Sequence, residues 1–353
     1  MYETFATGYG PVNYQIIRAA DGMMYLIGHV GRYKSADNGR TWEADHPDWS
    51  SAGRRAGKGE MDAPKTQNVF IDSNTTMRMK DGRLMMVAWD PFPEIVKQHN
   101  MNGTTYTIML SDDDGLTCSE SWPLCDEIGC FYVMNDRLIR LKSGRILLSI
   151  CKHPTEKLGR GIENEGMVTT AYSDDEGKTW KFGNWLDGNY QEPMAAEAAD
   201  GTLMMFMRSH RGYMSVSYSK DEGETWSEPQ LTLYRMPCAP FCVKRDPYSD
   251  YIFMVWDESF PCKQFQYPRT PICMAVSTDN GKTFRKVCVL ESEPDKHFGY
   301  PSLLFEKDEI FVNYYVMEGT RTFDSSVSRI KVKIFSRDEL TVEETITAPL
   351  FAK

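Results

Sequence analysis

The stretch SDDEGKTW, running from Ser173 to Trp180, recurs along the chain with its internal spacing intact. The other copies are SADNGRTW from Ser35, SDDDGLTC from Ser111, SKDEGETW from Ser219 and STDNGKTF from Ser277. Each carries an Asp two residues after the Ser: Asp37, Asp113, Asp175, Asp221 and Asp279. Each also carries a Gly four residues after it: Gly39, Gly115, Gly177, Gly223 and Gly281. An Asp-x-Gly-x-Thr segment between β-rich runs is a turn. The Asp side chain accepts from backbone N–H groups ahead of it, and the Gly supplies positive φ. The aromatic residue that follows is placed to pack back onto the sheet and pin the corner. These aspartates are therefore expected to be structural, neither catalytic acids nor calcium ligands.

A second repeat precedes each corner: an apolar run, a tight Asp-Gly-like turn, and another apolar run. Examples are IIRAADGMMYLIG from Ile16, TTMRMKDGRLMMVAW from Thr75, RLIRLKSGRILLSIC from Arg137 and MAAEAADGTLMMFMR from Met194. Looser forms are FCVKRDPYSDYIFMVW from Phe241 and PSLLFEKDEIFVNYY from Pro301. Asp-Gly between alternating apolar runs is a hairpin signal. Six units share the chain, about 59 residues each, and each has two strands, a third entering the Ser-x-Asp corner and a fourth after the aromatic. This predicts an all-β fold: a six-bladed β-propeller of four-stranded antiparallel blades, forming one domain over residues 1–353. The last unit lacks the Ser-x-Asp corner, and either TVEETITAPLF or the opening YETFATG is expected to close the ring. The largest insert is 43–70.

Composition narrows the function. With 41% hydrophobic and 25% charged residues the chain is ordinary and globular. Its net charge is −10 and no Lys/Arg-rich run is present, which argues against nucleic acid and anionic membranes as partners. No apolar run approaches the roughly 18–20 residues that span a bilayer. The opening MYETFATGYG has no basic region followed by an apolar stretch, so a cytoplasmic location is expected. The nine cysteines form no CxxC pair, so reduced, mostly buried thiols are expected rather than disulfides or a zinc site. No residue set has metal-ligand spacing, and no cofactor motif appears.

The repeated corners resemble the Asp-box (BNR) repeats of the sialidase (neuraminidase) superfamily, and the resemblance covers nearly the whole chain. It implies a carboxylate-gripping set of three arginines, a nucleophilic Tyr with a Glu as its base, and an Asp acid. On that resemblance Tyr300, in GYPSLLF, stands at the nucleophile position, and Glu192, in QEPMAAEAADG, at that of its base. Arg269 precedes the fifth box as the third family arginine does. Several positions depart from the family. The first arginine is replaced in Tyr14-Gln15-Ile16-Ile17 by Gln15, which cannot make a charged fork with a carboxylate. The second is expected just ahead of the fourth box, where Tyr213 and Met214 stand, with Arg208 and Arg211 near but out of register. GHVGRYKSADNG leaves no room for the usual acid. A sialidase-like protein is therefore expected rather than a true sialidase.

The repeat gives a second route to the site. Aligning the units on the hairpin turn brings Asn135 and Asp136, Glu192, and Tyr300 to the channel-mouth ends of inner strands. It places Trp89, Lys152, His153 and Arg208 at the same rim on second strands, with Asp257 and Tyr315 less securely placed. Two carboxylates across a hollow are the usual equipment for glycosidic cleavage. The expected assignment is Asp136 as general acid and Glu192, alone or through Tyr300, as nucleophile or base. Arg208, Arg269, Arg137, His153, Gln15, Trp89 and Asp62 are expected to contact substrate. Each has a plainer alternative: a local ion pair, a packed aromatic or an exposed strand end. The expected activity is a sialidase-like glycoside hydrolase acting on the terminal sugar of a short oligosaccharide or glycoside, possible substrates including acidic sugars. A polysaccharide lyase and a non-catalytic carbohydrate-binding propeller are the alternatives.

Overall fold

The computed structural model describes residues 1–7, 13–28, 31–45, 73–90, 105–127, 130–153, 166–259, 269–319, 328–340 and 347–351. Over these the chain forms six antiparallel sheets, the blades of a six-bladed propeller. The inner strands of neighbouring blades pack on one another, except that the inner strand of blade 4 packs on the second strand of blade 3, Ile146–His153, and blade 6 returns to blade 1. The inner strands are Tyr14–Arg18, Ser73–Arg78, the pair Cys130–Tyr132 and Leu138–Arg140, Tyr190–Glu197, Cys242–Arg245 and Lys296–Phe305. The opening segment closes the ring: Tyr2–Phe5 pairs with Ser328–Ser336 as the outer strand of blade 6. The closing segment instead adds Thr347–Pro349 to the edge of blade 5.

The second strands explain the dense apolar runs in the sequence. Leu203–Ser209 and Ile252–Asp257 are buried along their whole length, because both faces of a blade are covered by neighbouring blades. The Asp boxes fasten the outer ends. In blade 1, Ser35 Oγ donates to Asp37 Oδ1 at 2.8 Å, and the Thr41 amide and hydroxyl donate to the two Asp37 oxygens at 2.8 and 2.6 Å. The Thr41 hydroxyl, followed by its amide, pulls the Asp37 carboxyl down to about 2. Trp180 Nε1 donates back to the Gly177 carbonyl at 2.8 Å, so the aromatic does pin its corner. Gly281 has φ +79°, and a side chain there would collide with Met204 of the preceding blade, so this turn also sets blade spacing.

Arginines fasten the hairpin turns to these corners at the same rim. Arg18, Arg78 and Arg140 each donate to the carbonyl of the hairpin glycine four residues on, at 2.8, 3.0 and 3.1 Å. Each also reaches the left-handed residue of its own blade's Asp box: Asn38, Asp114 or Glu176. Seven described cysteines are free thiols, of which Cys151, Cys242 and Cys273 are buried and four are half-buried. Among the described residues no helix is long and apolar enough to cross a membrane.

Candidate active site

Asp136, Glu192 and Tyr300 occupy equivalent places on blades 3, 4 and 6, and all three have left-handed backbone, with φ of 60°, 45° and 47°. Such values are uncommon outside glycine and cost local strain. In blades 4 and 6 the cause is visible in the register. Gln191 pairs with Arg208 but Met194 with Phe206, and Gly299 pairs with Tyr315 but Ser302 with Asn313. Each is a bulge that sets two residues, one of them Pro193 or Pro301, against a single partner. Proline has no N–H to offer the ladder, so a bulge suits it. The bulge turns the preceding side chain toward the axis. Asn135 ties the converging ends together, its Nδ2 lying 3.0–3.2 Å from the carbonyls of Tyr14, Tyr300 and Pro301.

Four of the expected side chains meet at this rim. The Tyr300 hydroxyl donates to Glu192 Oε1 at 3.3 Å, and Glu192 Oε2 forms an ion pair with Arg208 Nη1 at 2.7 Å. Arg269 Nη1 donates to the Tyr315 hydroxyl at 3.0 Å, and the Tyr315 ring lies 6.1 Å from that of Tyr300. Glu192 and Arg208 are buried, while Tyr300 and Arg269 are partly exposed above them. Burial works to raise the Glu192 carboxyl. Arg208 outweighs it, supported by Arg137 and Arg269, and holds the group below its ordinary range. Burial raises the Tyr300 phenol and the Glu192 charge raises it further, so the resting pair is a protonated phenol beside a carboxylate. That is the protonation state of a nucleophile waiting on its base.

Arg208 lies where the hairpin alignment expects it. It stands across the hairpin from Gln191, which places its guanidinium on Glu192 rather than out of register with the site. Counting backward from the Asp box leaves it out of register, whereas counting both strands outward from the hairpin turn does not.

Asp136 is a correction. Its carboxylate is fully enclosed. Oδ1 takes Lys244 Nζ at 2.6 Å, and Oδ2 takes the Ser302 hydroxyl at 3.0 Å and the Leu303 amide at 3.1 Å. A carboxylate enclosed in this way, with a cation, a hydroxyl and a backbone amide already on it, has no path by which to hand a proton to a leaving group, so the general-acid assignment falls. Asp136 ties blade 3 to blades 5 and 6. Arg137 is likewise buried, with Nη atoms 2.8–3.4 Å from the carbonyls of Asn135, Glu192 and Phe241. It braces the Glu192 backbone instead of meeting a ligand. Gln15 spends its amide on blade 2, donating to the Thr76 carbonyl at 2.9 Å and accepting from the Thr76 amide at 2.8 Å.

His153 is buried at the end of its strand, edge-on to Tyr132 at 5.1 Å. Trp89 pairs with Tyr106 in the ladder of blade 2, and its side chain lies outside the described residues, as does Asp62. Between the Asp136 tie and the hairpin turns the axis widens into a cavity of about 440 Å³ on the far side. Gln15, Arg140 and Lys244 line it, but Glu192 and Tyr300 do not, so this hollow is separate from the cluster.

Asp257 sits in the same rim without having been placed firmly by the sequence. It is fully buried, and among the described residues neither carboxylate oxygen has a hydrogen-bond partner. Burial pushes its carboxyl well above the ordinary range despite the opposing charges of Arg269 and Arg208. A carboxyl raised in the folded state stabilises fully below its unfolded value, near pH ~4, and that contribution is lost as pH rises toward the folded value. Wild type should therefore lose stability between pH 4 and 8 relative to Asp257→Asn. Thermal melts of both proteins across that range check this, and parallel curves would count against it.

Comparison with known proteins agrees with the fold. A profile of the BNR repeat-like domain matches residues 74–312. A sialidase of Bacteroides fragilis (strain YCH46) is 28% identical over 199 residues, covering 52% of this chain and 34% of the relative. The match thus spans about a third of that curated relative's length. Among solved structures, a protein of unknown function from Dyadobacter fermentans DSM 18053 aligns with TM-score 0.66 at 17% identity, covering 95% of this chain and 97% of that one. The Hadza microbial sialidase Hz136 aligns with TM-score 0.66 at 18% identity, covering 95% of this chain and 66% of the other. With the family profile extending over most of the described blades, this chain belongs to the BNR repeat-like family of sialidase-like propellers.

Proposed function

We propose that this protein is an exo-acting glycoside hydrolase that removes a terminal sugar bearing a carboxylate, of the sialic acid type. The chain from Tyr300 through Glu192 to Arg208 carries the reading, because it supplies in sequence a nucleophile, its hydrogen-bonded base and an ion-paired anchor. Arg269 stands partly exposed beside it and offers a second guanidinium. In the proposed reaction these arginines grip the sugar carboxylate. The Tyr300 oxygen attacks the anomeric carbon as Glu192 takes the phenolic proton. The bond to the leaving oxygen breaks, and that oxygen departs as an anion and takes a proton from solvent; water then displaces the tyrosine, Glu192 returns its proton to the phenol, and the water's spare proton goes to solvent. Two displacements give net retention. A phenol suits this substrate because a carboxylate nucleophile would be repelled by the sugar's own charge.

Gln15, in the place of a family arginine, is already committed to Thr76. The grip on a carboxylate therefore rests on fewer cations than the family uses, and weak substrate affinity is expected. The lyase alternative needs an ionised phenol or a His as base, and the raised Tyr300 works against the former.

The test uses aryl glycosides, whose acidic leaving groups need little help from a general acid. The protein should release the aryl group from sialosides faster than from neutral glycosides. Tyr300→Phe should lower that rate by about 10²-fold or more. A folded protein that releases nothing from sialosides or uronides would sink the proposal, and absorbance from an unsaturated sugar would replace it with the lyase.

A further inference from the structure

Behind the Glu192–Arg208 pair lies a group that the proposed reaction does not use. Cys238 is half-buried in the segment between the outer strand of blade 4 and the inner strand of blade 5. Its sulfur accepts from Arg208 Nε at 3.1 Å and lies 3.4 Å from His210 Nε2. The same guanidinium therefore touches the thiol with one nitrogen and Glu192 with another. Cysteines elsewhere are differently surrounded. Cys118 and Cys125, also half-buried, have raised thiols, burial being the main cause in each. At Cys238 burial also pushes upward, but the Arg208 charge and the His210 contact outweigh it and lower the thiol.

We propose that Cys238, activated by Arg208 and His210, is a hydroperoxide-reactive modification site. A cysteine beside a guanidinium and an imidazole, and partly open to solvent, is in the environment in which the thiolate forms and is nucleophilic. The sulfur attacks one peroxide oxygen, the O–O bond breaks, and a sulfenic acid and hydroxide result. The sulfur is oxidised by two electrons and the peroxide is reduced by two. The added oxygen sits against Arg208 and competes with Glu192 for the guanidinium. Loss of that pairing removes the influence that holds Glu192 ionised beside Tyr300. An external thiol reverses the change by reducing the sulfenic acid to thiol and water, itself becoming a disulfide.

The reactivity stands on the Cys238 geometry alone. Only its effect on turnover rests on the hydrolase reading. The native protein is treated with hydrogen peroxide and a sulfenic-acid-trapping 1,3-dione, then digested and mapped by mass spectrometry. Cys238 should be labelled about 10-fold faster than Cys118 or Cys125, and His210→Gln should slow it several-fold. Labelling of Cys238 no faster than of Cys118 overturns the proposal, whatever the protein hydrolyses. If aryl sialosides are turned over, peroxide should suppress that activity, dithiothreitol should restore it, and Cys238→Ser should make it insensitive to peroxide. Equal peroxide sensitivity in Cys238→Ser overturns the link to Glu192.

Discussion

Glu192→Gln should lower kcat for an acidic aryl glycoside by about 10³-fold, within the range expected when a general base is removed. The amide is nearly isosteric, so the bulge that aims position 192 inward should persist. What disappears is the acceptor that takes the Tyr300 proton. Without it the phenol, which burial and its neighbour hold in the protonated form, has no route to becoming a nucleophile. Adding Tyr300→Phe should cost little more, because the two residues act as one unit and their losses are not additive.

The same substitution carries a stability signature. Arg208 has a side chain only 5% exposed, and Glu192 is its ion-pair partner. A buried charge left without its partner costs about 3–5 kcal/mol. Gln keeps one acceptor oxygen, so the lower end is expected. The pH dependence follows from the depressed Glu192 carboxyl. A lowered carboxyl stabilises the fold above its unfolded value and loses that contribution as pH falls through the folded value. The acid limb of kcat/KM should accordingly lie below the ordinary Glu value of about 4.3. Urea melts and pH–rate profiles of wild type and Glu192→Gln read both effects. Wild-type activity that falls already above pH 5 would mean that some other group sets the acid limb.

Chain spacing made the ring legible because its signals are local. Each Asp box closes within eight residues, and each hairpin turn announces two strands on its own. The site was legible only where spacing and contact coincide. Glu192 and Tyr300 lie next to prolines at the starts of units, and both prove to be bulge residues. Arg208 needed the hairpin register, and Asp257 needed the neighbouring blades. Cys238 read as one buried thiol among nine, since nothing in its segment reveals that Arg208 and His210 of blade 4 reach its sulfur. Asp136 misled for the same reason in reverse. It shares the repeat position and the left-handed backbone of Glu192 and Tyr300, but its partners come from blades 5 and 6, over 100 residues away.

That distance makes Asp136 the most exposed test of the revised site. Asp136→Asn should lower unfolding free energy by about 3 kcal/mol or more. Its carboxylate has zero exposure and accepts from a cation, a hydroxyl and a backbone amide at once. An amide of the same shape can keep only part of this. If its oxygen stays with Leu303 and Ser302, its NH₂ group faces Lys244 Nζ, donor against donor. If it flips, the Leu303 amide loses its acceptor in a buried place. Either arrangement leaves Lys244, whose side chain is 24% exposed, with the Leu303 carbonyl at 2.9 Å but no countercharge from Asp136. Removing the cation as well, in Asp136→Asn with Lys244→Met, should recover part of the loss, since the two substitutions share one interaction. The catalytic alternative predicts the opposite pattern: Asp136→Asn would melt like wild type and be inactive on substrates with poor leaving groups, yet retain activity on those with good ones. Denaturant melts beside assays with alkyl and aryl glycosides separate the two. The tie across the axis requires a destabilised protein whose residual activity falls equally for both leaving groups.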